Sequence, residues 1–540
     1  MIKEIISGKL TTRIFATRDA MGKAAAADAA RKIKLLQDEK GIINVMFAAA
    51  PSQNETLKYL LEHERVDWSN VRGFHMDEYI GLPEKSEKSF ASYLDKAVFS
   101  KITLKEVFYI GSGNDSAGLI KRYEKLLKDY PIDLVFMGIG ENGHIAFNDP
   151  HVADFKDKKL VKVVDLDEAC RVQQVNDKCF DTLDSVPKNA VTVTIPAITS
   201  AKHLICTVPA QTKAQAVWRT LNAPMDENCP STIMRKHDNA VMYTEINSAK
   251  HLFFKRGVIT DEISQDFETA CELAQRYSLD SIELRSVYET PPEKLNAEQV
   301  KKIKGLLKKY NLQVVAISSS IFKCDWGVGE DEKLEKTIAI AKTFGCKFIR
   351  AFSFWKSDKY SDEAFAKCLN KLAQRIEKEG LSVVLENDPA VNLTNGASLA
   401  RALKVANCKN AGVVWDAGNN IYDPFLENPY PAGYQAVKPF ITHIHLKDAV
   451  SVDGKPKGVA FGTGEVDWVG QLKALYQDGY DGHIMMETHY KLNNKVIDEE
   501  LLKRPMGSAF SEGGYEATEE CLINMEKLIV DTLNSIYNKK

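Results

Sequence analysis

Along nearly the whole chain, short apolar runs rich in β-branched and aromatic residues alternate with longer stretches whose apolar positions recur every three to four residues. The first kind predicts strands and the second helices, and their alternation predicts an α/β fold built on parallel sheets. In the first half the strand-like runs are IINVMFA, VRGFHMD, DLVFMGI, AVTVTI and HLICTV, with helical stretches such as DAMGKAAAADAARKIKLLQDE and AQAVWRTLN between them. The second half restarts at RGVITDEI and repeats the unit faster, through SIELRSV, LQVVAISS, CKFIRAF, LSVVLEND, AGVVWDAG, ITHIHLKD and GHIMMETH. Eight strands separated by helices, over about 280 residues, predict a (β/α)8 TIM barrel; the fewer strands of the first half predict an open sheet. The boundary falls near HLFFKRG, giving domains over 1–253 and 256–540.

A chain of 540 residues exceeds one ordinary core, which agrees with two domains. Charged residues make up 27% and the net charge is -3, so no basic face argues for nucleic acid or an anionic bilayer as a partner. The opening MIKEIISGKLTTRIF has no apolar block leading to a small-residue cleavage site, and no long uncharged apolar segment follows. A cytoplasmic, soluble protein is expected. The ten cysteines are scattered without a CxxC pair and read as reduced, buried small residues. Self-association into a homo-oligomer stays open.

In an open parallel sheet ligands gather beyond the carboxyl ends of the strands, where loops meet helix N-termini. Four segments of the first half place polar groups there. AAAPSQNETL offers Ser52, Gln53 and Asn54 before a helix; FHMDEYIGLP ends a strand with Asp77 and Glu78; GIGENGHIAFNDP sets His144 among glycines; VPAQTKAQAV puts Lys213 just past a strand. Each alone reads equally well as a helix cap or a loop residue.

Together these segments resemble the glucosamine-6-phosphate deaminase/isomerase family over residues 1–250, with MDEYIGLP and GHIAFN as the specific parts. The resemblance implies a Rossmann-like fold and conversion of glucosamine 6-phosphate to fructose 6-phosphate plus ammonia, without a metal. It implies that Asp77 is the base moving a proton between C2 and C1, and that His144 opens the sugar ring. Imidazole suits that step because it exchanges protons near neutral pH. Arg171 in LDEACRVQQV and Lys213 match the family's phosphate-binding cations, facing the Ser52–Asn54 loop. The chain departs from the studied members by Asn142 in place of Asp and Asp149 in place of Glu. An amide at 142 hydrogen-bonds but supplies no negative charge to an imidazolium. Within the same fold two alternatives stay open: a 6-phosphogluconolactonase-like hydrolase, and a sugar-phosphate sensor without catalysis.

In the second half, Glu386, Asp416 and Glu487 close strand-like runs and His445 lies in ITHIHLKD, at the strand ends where barrel chemistry sits. Three carboxylates and one imidazole suit a divalent ion of the Mn2+, Mg2+ or Co2+ class, and the lack of nearby cysteine argues against thiolate zinc. His443 and His445 share a face by the two-residue repeat. WDAGN, HIHLKD and the GTGEVDW loop resemble the xylose isomerase-like sugar phosphate isomerase/epimerase superfamily over residues 256–540. That resemblance implies Glu386, Asp416, His445 and Glu487 as metal ligands, prefers His445 to His443, and makes the two glutamates the bases flanking the substrate carbon. Many relatives have His where this chain has Asn419. Lys447, Arg350 and His489 are expected to touch substrate or to support the site.

Overall fold

The computed structural model describes every residue except 84–85, 112–114, 177–179, 424, 454, 493–505 and 539–540, and leaves out the side chains of 169, 173 and 176. The chain divides into two compact units: Met1–Lys250, with which the last residues from Tyr537 on are grouped, and His251–Ile536.

The strands of the first unit are β1 (Lys3–Ser7), β2 (Leu10–Phe15), β3 (Ile43–Phe47), β4 (Val71–His75), β5 (Asp77–Tyr79), β6 (Glu106–Phe108), β7 (Leu134–Met137), β8 (Val161–Asp165), β9 (Asn189–Val193), β10 (His203–Val208) and β11 (Ala240–Glu245). Eight of them form one open sheet in the order β1-β2-β11-β10-β7-β3-β4-β6. In this sheet the β1-β2 hairpin pairs antiparallel and the other pairs are parallel. The central strands β3 and β7 are buried at every position, as expected where helices cover both faces.

Helix α1 (Arg18–Lys40) covers one face. Thr17 caps it by accepting the Ala20 N–H, and Gly41, at φ +76°, ends it by donating to the Gln37 carbonyl. Its buried side is small, with Ala25, Ala26, Ala29 and Ala30, so the helix lies close over the stacked Phe47 and Phe136 rings, 5.3 Å apart. Burying one such ring contributes roughly 2–3 kcal/mol.

The run AVTVTI does not join the main sheet. It forms β9, which pairs antiparallel with β5 and β8 in a separate three-stranded sheet. An apolar run reports burial, not the direction or identity of its neighbour. β5 itself is the continuation of VRGFHMD past a break at Met76, which places Asp77 opposite Thr192.

The second unit is a closed barrel of parallel strands: β12 (Lys255–Ile259), β13 (Ser281–Leu284), β14 (Gln313–Ile321), β15 (Phe348–Ala351), β16 (Ser382–Glu386), β17 (Ala411–Asp416), β18 (Ile441–Leu446) and, after an inserted hairpin of β19 (Asp448–Val452) and β20 (Lys455–Val459), β21 (His483–Met486). β21 pairs back onto β12 and closes the ring. All eight expected strands are present in the expected order, and among the described residues the hairpin is the one addition to the strand set. Local signals end the helices between them: an Asn296/Gln299 capping box opens Ala297–Tyr310, and left-handed Asn311 closes it. Among the described residues no helix is long and apolar enough to cross a membrane, and the cysteines are free thiols.

Candidate active sites of the two units

In the first unit β10, β7, β3 and β4 are neighbours in the sheet, so the segments leaving their carboxyl ends converge. Ala48–Ser52 after β3, Met76 and Asp77 after β4, Gly138–Gly140 with His144 after β7, and Pro209, Ala210, Thr212 and Lys213 after β10 line one cavity of about 150 Å3. Two residues of its wall, Ala146 and Ala210, hold left-handed φ of 52° and 81°, a strained backbone of the kind that collects at ligand sites.

His144 is held by its own loop. Gly143 adopts φ +86°, and the Gly140 N–H donates to the His144 carbonyl at 2.9 Å. A Cβ on Gly140 would sit 2.2 Å from the imidazole, so only glycine lets the ring lie there. Nδ1 of His144 is 2.8 Å from Asp149 Oδ1. Asn142 fills both remaining roles: its amide donates to Asp149 Oδ1 at 2.9 Å, and its carbonyl accepts the His144 N–H at 2.9 Å. Burial pushes the Asp149 pKa up, but the His144 and Asn142 contacts outweigh it, and the carboxyl stays below its ordinary range.

Asp77 is buried, and desolvation, with the neighbouring Glu78 charge adding to it, pushes its pKa well above the usual carboxylate value. A raised carboxyl on a cavity wall is the state a proton-shuttling group needs. Glu78 works on the backbone instead. Its carboxylate accepts the N–H groups of Phe90 and Ala91 at 3.1 and 3.0 Å, capping the helix Phe90–Leu94.

The other expected contacts separate. Ser52 and the buried Lys213 line the cavity. Gln53 instead donates to the Met137 carbonyl at 2.9 Å and ties the loop to β7, while Asn54 accepts from Tyr93. Arg171 is not among the lining residues: its guanidinium donates to the Leu183 carbonyl at 2.5 Å. One turn along the same helix (Glu168–Asn176), Gln174 reaches the cavity, and across it stands Arg18, held by Pro51 and Glu55. In this structure Arg171 is thus turned to Leu183 and away from the Ser52–Asn54 loop it was expected to face.

In the barrel, ligand atoms of Glu386, Asp416, His445 and Glu487 all lie within 4.8 Å of one another. His445 Nδ1 is 3.1 Å from Glu386 and 3.0 Å from Glu487, and its Nε2 is 3.1 Å from Glu283, a carboxylate that also meets His443 at 3.0 Å. His443 thus supports from below, with its ring turned to Glu283. Arg350 holds Glu386 at 2.8 Å; Arg285 holds Glu487 at 2.7 Å, Glu262 at 2.6 Å and Asp261 at 3.1 Å. Lys447 Nζ lies 2.8 Å from Asp416 and 3.2 Å from Glu487, and donates to the Asn419 side-chain oxygen Oδ1 at 3.1 Å. His489 Nδ1 is 2.8 Å from Glu262. Glu386, Glu487, Asn419, Lys447 and His489 line a cavity of about 100 Å3.

Burial raises the Asp416 carboxyl to about 7 although Lys447 opposes it. Burial also acts to raise Glu487, but Lys447, His489 and His445 hold it well below its ordinary value. The His445 imidazole is desolvated, yet Glu283, Glu386 and Glu487 raise its pKa well above normal. The buried carboxylates Asp261, Glu262, Glu283, Glu386, Asp416 and Glu487 outnumber the permanent cations Arg285, Arg350 and Lys447. Asp416 Oδ2 and Glu487 Oε2 share the Lys447 ammonium, at 2.8 and 3.2 Å. A buried donor set of this kind, three carboxylates and an imidazole with carboxylates in excess, fits a divalent cation.

Residues 16–243 match the family model described as glucosamine-6-phosphate isomerases/6-phosphogluconolactonase. A glucosamine-6-phosphate deaminase of Listeria monocytogenes is 34% identical over 219 residues, which cover 40% of this chain and 92% of that protein. The chain belongs to the glucosamine-6-phosphate deaminase family. A deaminase of Streptococcus suis is 30% identical over 36% of this chain and 81% of its own length. A solved monomeric glucosamine-6-phosphate deaminase is 28% identical, spanning 44% of this chain and 98% of its own, with a TM-score of 0.40. Beyond the deaminase-family unit, residues 271–504 match the xylose isomerase-like TIM barrel family.

Several residues of both sites escape the sequence reading. Arg18 and Gln174 of the deaminase-family unit sit in helices with no local motif. In the barrel, Asp261, Glu262, Glu283 and Arg285 close β12 and β13, and the signal is present in RGVITDEI and SIELRSV: acids and a guanidinium at strand ends.

Proposed function

We propose that the first unit converts glucosamine 6-phosphate to fructose 6-phosphate and ammonia, and that the barrel is a metal-dependent isomerase or epimerase of a sugar or sugar phosphate. The observation that carries the first reading is the presence of Asp77, His144, Ser52 and Lys213 on one cavity. Lys213, Arg18 and the Ser52 hydroxyl receive the phosphate; the His144 imidazole, oriented by Asp149, exchanges a proton with the ring oxygen; Asp77 carries a proton from C2 to C1. Water then adds at C2 and the amino group leaves as ammonia. In the barrel, Glu386, Asp416, His445 and Glu487 would hold the ion, which would supply Lewis-acid polarisation of a carbonyl and its neighbouring hydroxyl. Arg350 and Arg285 fix the two glutamates, and Glu283 fixes the His445 ring by engaging its far nitrogen.

A panel of hexosamine phosphates and 6-phosphogluconolactone, incubated with the full chain with and without chelator, tests both readings. Equal amounts of ammonia and ketose phosphate, unchanged by chelator, are expected from glucosamine 6-phosphate. Lactone hydrolysis without ammonia would favour the lactonase alternative; sugar binding without any product would favour a sensor. Chelator-sensitive ammonia release would contradict the metal-free assignment.

A further inference from the structure

Beside the His144–Asp149 pair lies a third donor that the deaminase chemistry does not use. Cys170 is buried against Asp149, and one ligand atom each of His144, Asp149 and Cys170 lies within 4.8 Å of the others. Asp149 has no solvent exposure; its Oδ1 takes the contacts from His144 and Asn142, and the Cys170 thiol also hydrogen-bonds its carboxylate. His144 Nδ1 faces Asp149 Oδ1 at 2.8 Å, so this nitrogen is the imidazole atom nearest the carboxylate. An imidazole, a carboxylate and a thiol, all buried, thus stand together in one polar cluster.

Nitrogen, oxygen and sulfur donors together are the choice of a borderline-soft ion. Tetrahedral zinc, with bonds of about 2.0–2.3 Å, needs donors spaced by roughly 3.3–3.8 Å, so donors already this close need only small side-chain rotations. The fourth position would open on the side where His144 meets the cavity. The barrel set, by contrast, holds oxygen and imidazole donors and no sulfur, which suits harder ions.

We propose that His144, Asp149 and Cys170 form a binding site for a thiophilic divalent cation, Zn2+ above all, and that its occupancy switches off the first unit by withdrawing the imidazole from proton transfer. Binding exchanges the Cys170 S–H bond for an S–metal bond and releases that proton to solvent, while the proton between His144 Nδ1 and Asp149 moves to Nε2; no electrons are transferred. A sugar phosphate in the cavity lies on the entry side of His144 and slows the ion's access. The inhibition rests on the deaminase reading above, whereas the site itself does not.

The test uses the full chain, stripped with chelator and desalted, as wild type, Cys170→Ser and Cys170→Ala. Cobalt(II) titration is followed by the thiolate-to-cobalt charge-transfer band in the near ultraviolet, a signature the barrel donors cannot give. Ammonia release is followed against added Zn2+, with and without fructose 6-phosphate. We expect the band in wild type and its loss in both variants. Basal ammonia release in Cys170→Ser should stay within about twofold, and the zinc concentration for half-inhibition should rise at least about tenfold. Absence of the band in wild type, its persistence in the variants, or an unchanged half-inhibition would each overturn the site. If wild type releases no ammonia at all, the deaminase reading fails, and the cobalt band still decides the proposal.

Discussion

At the scale of single residues, the chemistry proposed for the first unit depends on Asp77 being uncomfortable where it sits. Its folded-state pKa is raised by burial first and Glu78 second, so its carboxylate form costs stability. That cost is absent below the unfolded pKa of about 3.9, grows as pH rises toward the folded value, and is complete above it. Asp77→Asn should therefore raise the melting temperature of the first unit at alkaline pH, by about 2 °C or more, with no gain near pH 4. The same shift predicts that the acid limb of kcat/KM for deamination lies above the ordinary carboxylate range; a limb at about pH 4 would show that Asp77 is not the base. A second residue-scale prediction concerns Gly140. Its Cβ would meet the His144 ring at 2.2 Å, so Gly140→Ala should lower kcat/KM by about a hundredfold while fructose 6-phosphate still binds, as measured by calorimetry.

At the scale of elements, direction decides what the sequence can reveal. The barrel strands are legible because most of the apolar runs are followed by a helix-period stretch, and the barrel admits one order of neighbours. AVTVTI has the same look, yet as β9 it runs antiparallel between β5 and β8, since nothing in a buried run names its partner. β1 is hidden by its alternation of half-buried and exposed positions, and β6 by its three-residue length. AVMYTE, fully buried as β11, has the strand pattern, so its absence from the expected set reflects no physical limit. Helix rotation sets a similar limit at the site. LDEACRVQQV shows an arginine near the expected place, but the helix turns Arg171 to Leu183 and brings Gln174 inward. The two lysine- and arginine-bearing elements therefore make opposite predictions. Lys213→Met should raise KM for glucosamine 6-phosphate at least about tenfold, the effect of losing a charged hydrogen-bond donor to phosphate. Arg171→Met should change KM less than about threefold; the reverse pattern would restore Arg171 as the phosphate ligand.

At the scale of the whole molecule, the chain carries two donor systems of different chemistry in two compact units. The four proposed barrel ligands are legible as acid and imidazole groups at strand ends. Their supports, Glu283 and Arg285, become visible only when the closed barrel brings the end of β13 to those of β18 and β21. Glu487→Gln removes one barrel donor, and we expect divalent-metal affinity measured by calorimetry to fall at least about tenfold. Ammonia release should be unchanged in that variant, because no residue of the first cavity is altered. A parallel loss of deamination would mean that the first unit draws on the barrel's metal.

The central claim is that Asp77 and His144 act on one sugar phosphate without a metal. The most direct measurement is the rate of ammonia release from saturating glucosamine 6-phosphate by chelator-treated full chain, beside Asp77→Asn of equal fructose 6-phosphate affinity. The account predicts turnover by the wild type and a loss of about a hundredfold or more in the variant. Equal rates in the two proteins, or no ammonia from the wild type, would contradict it.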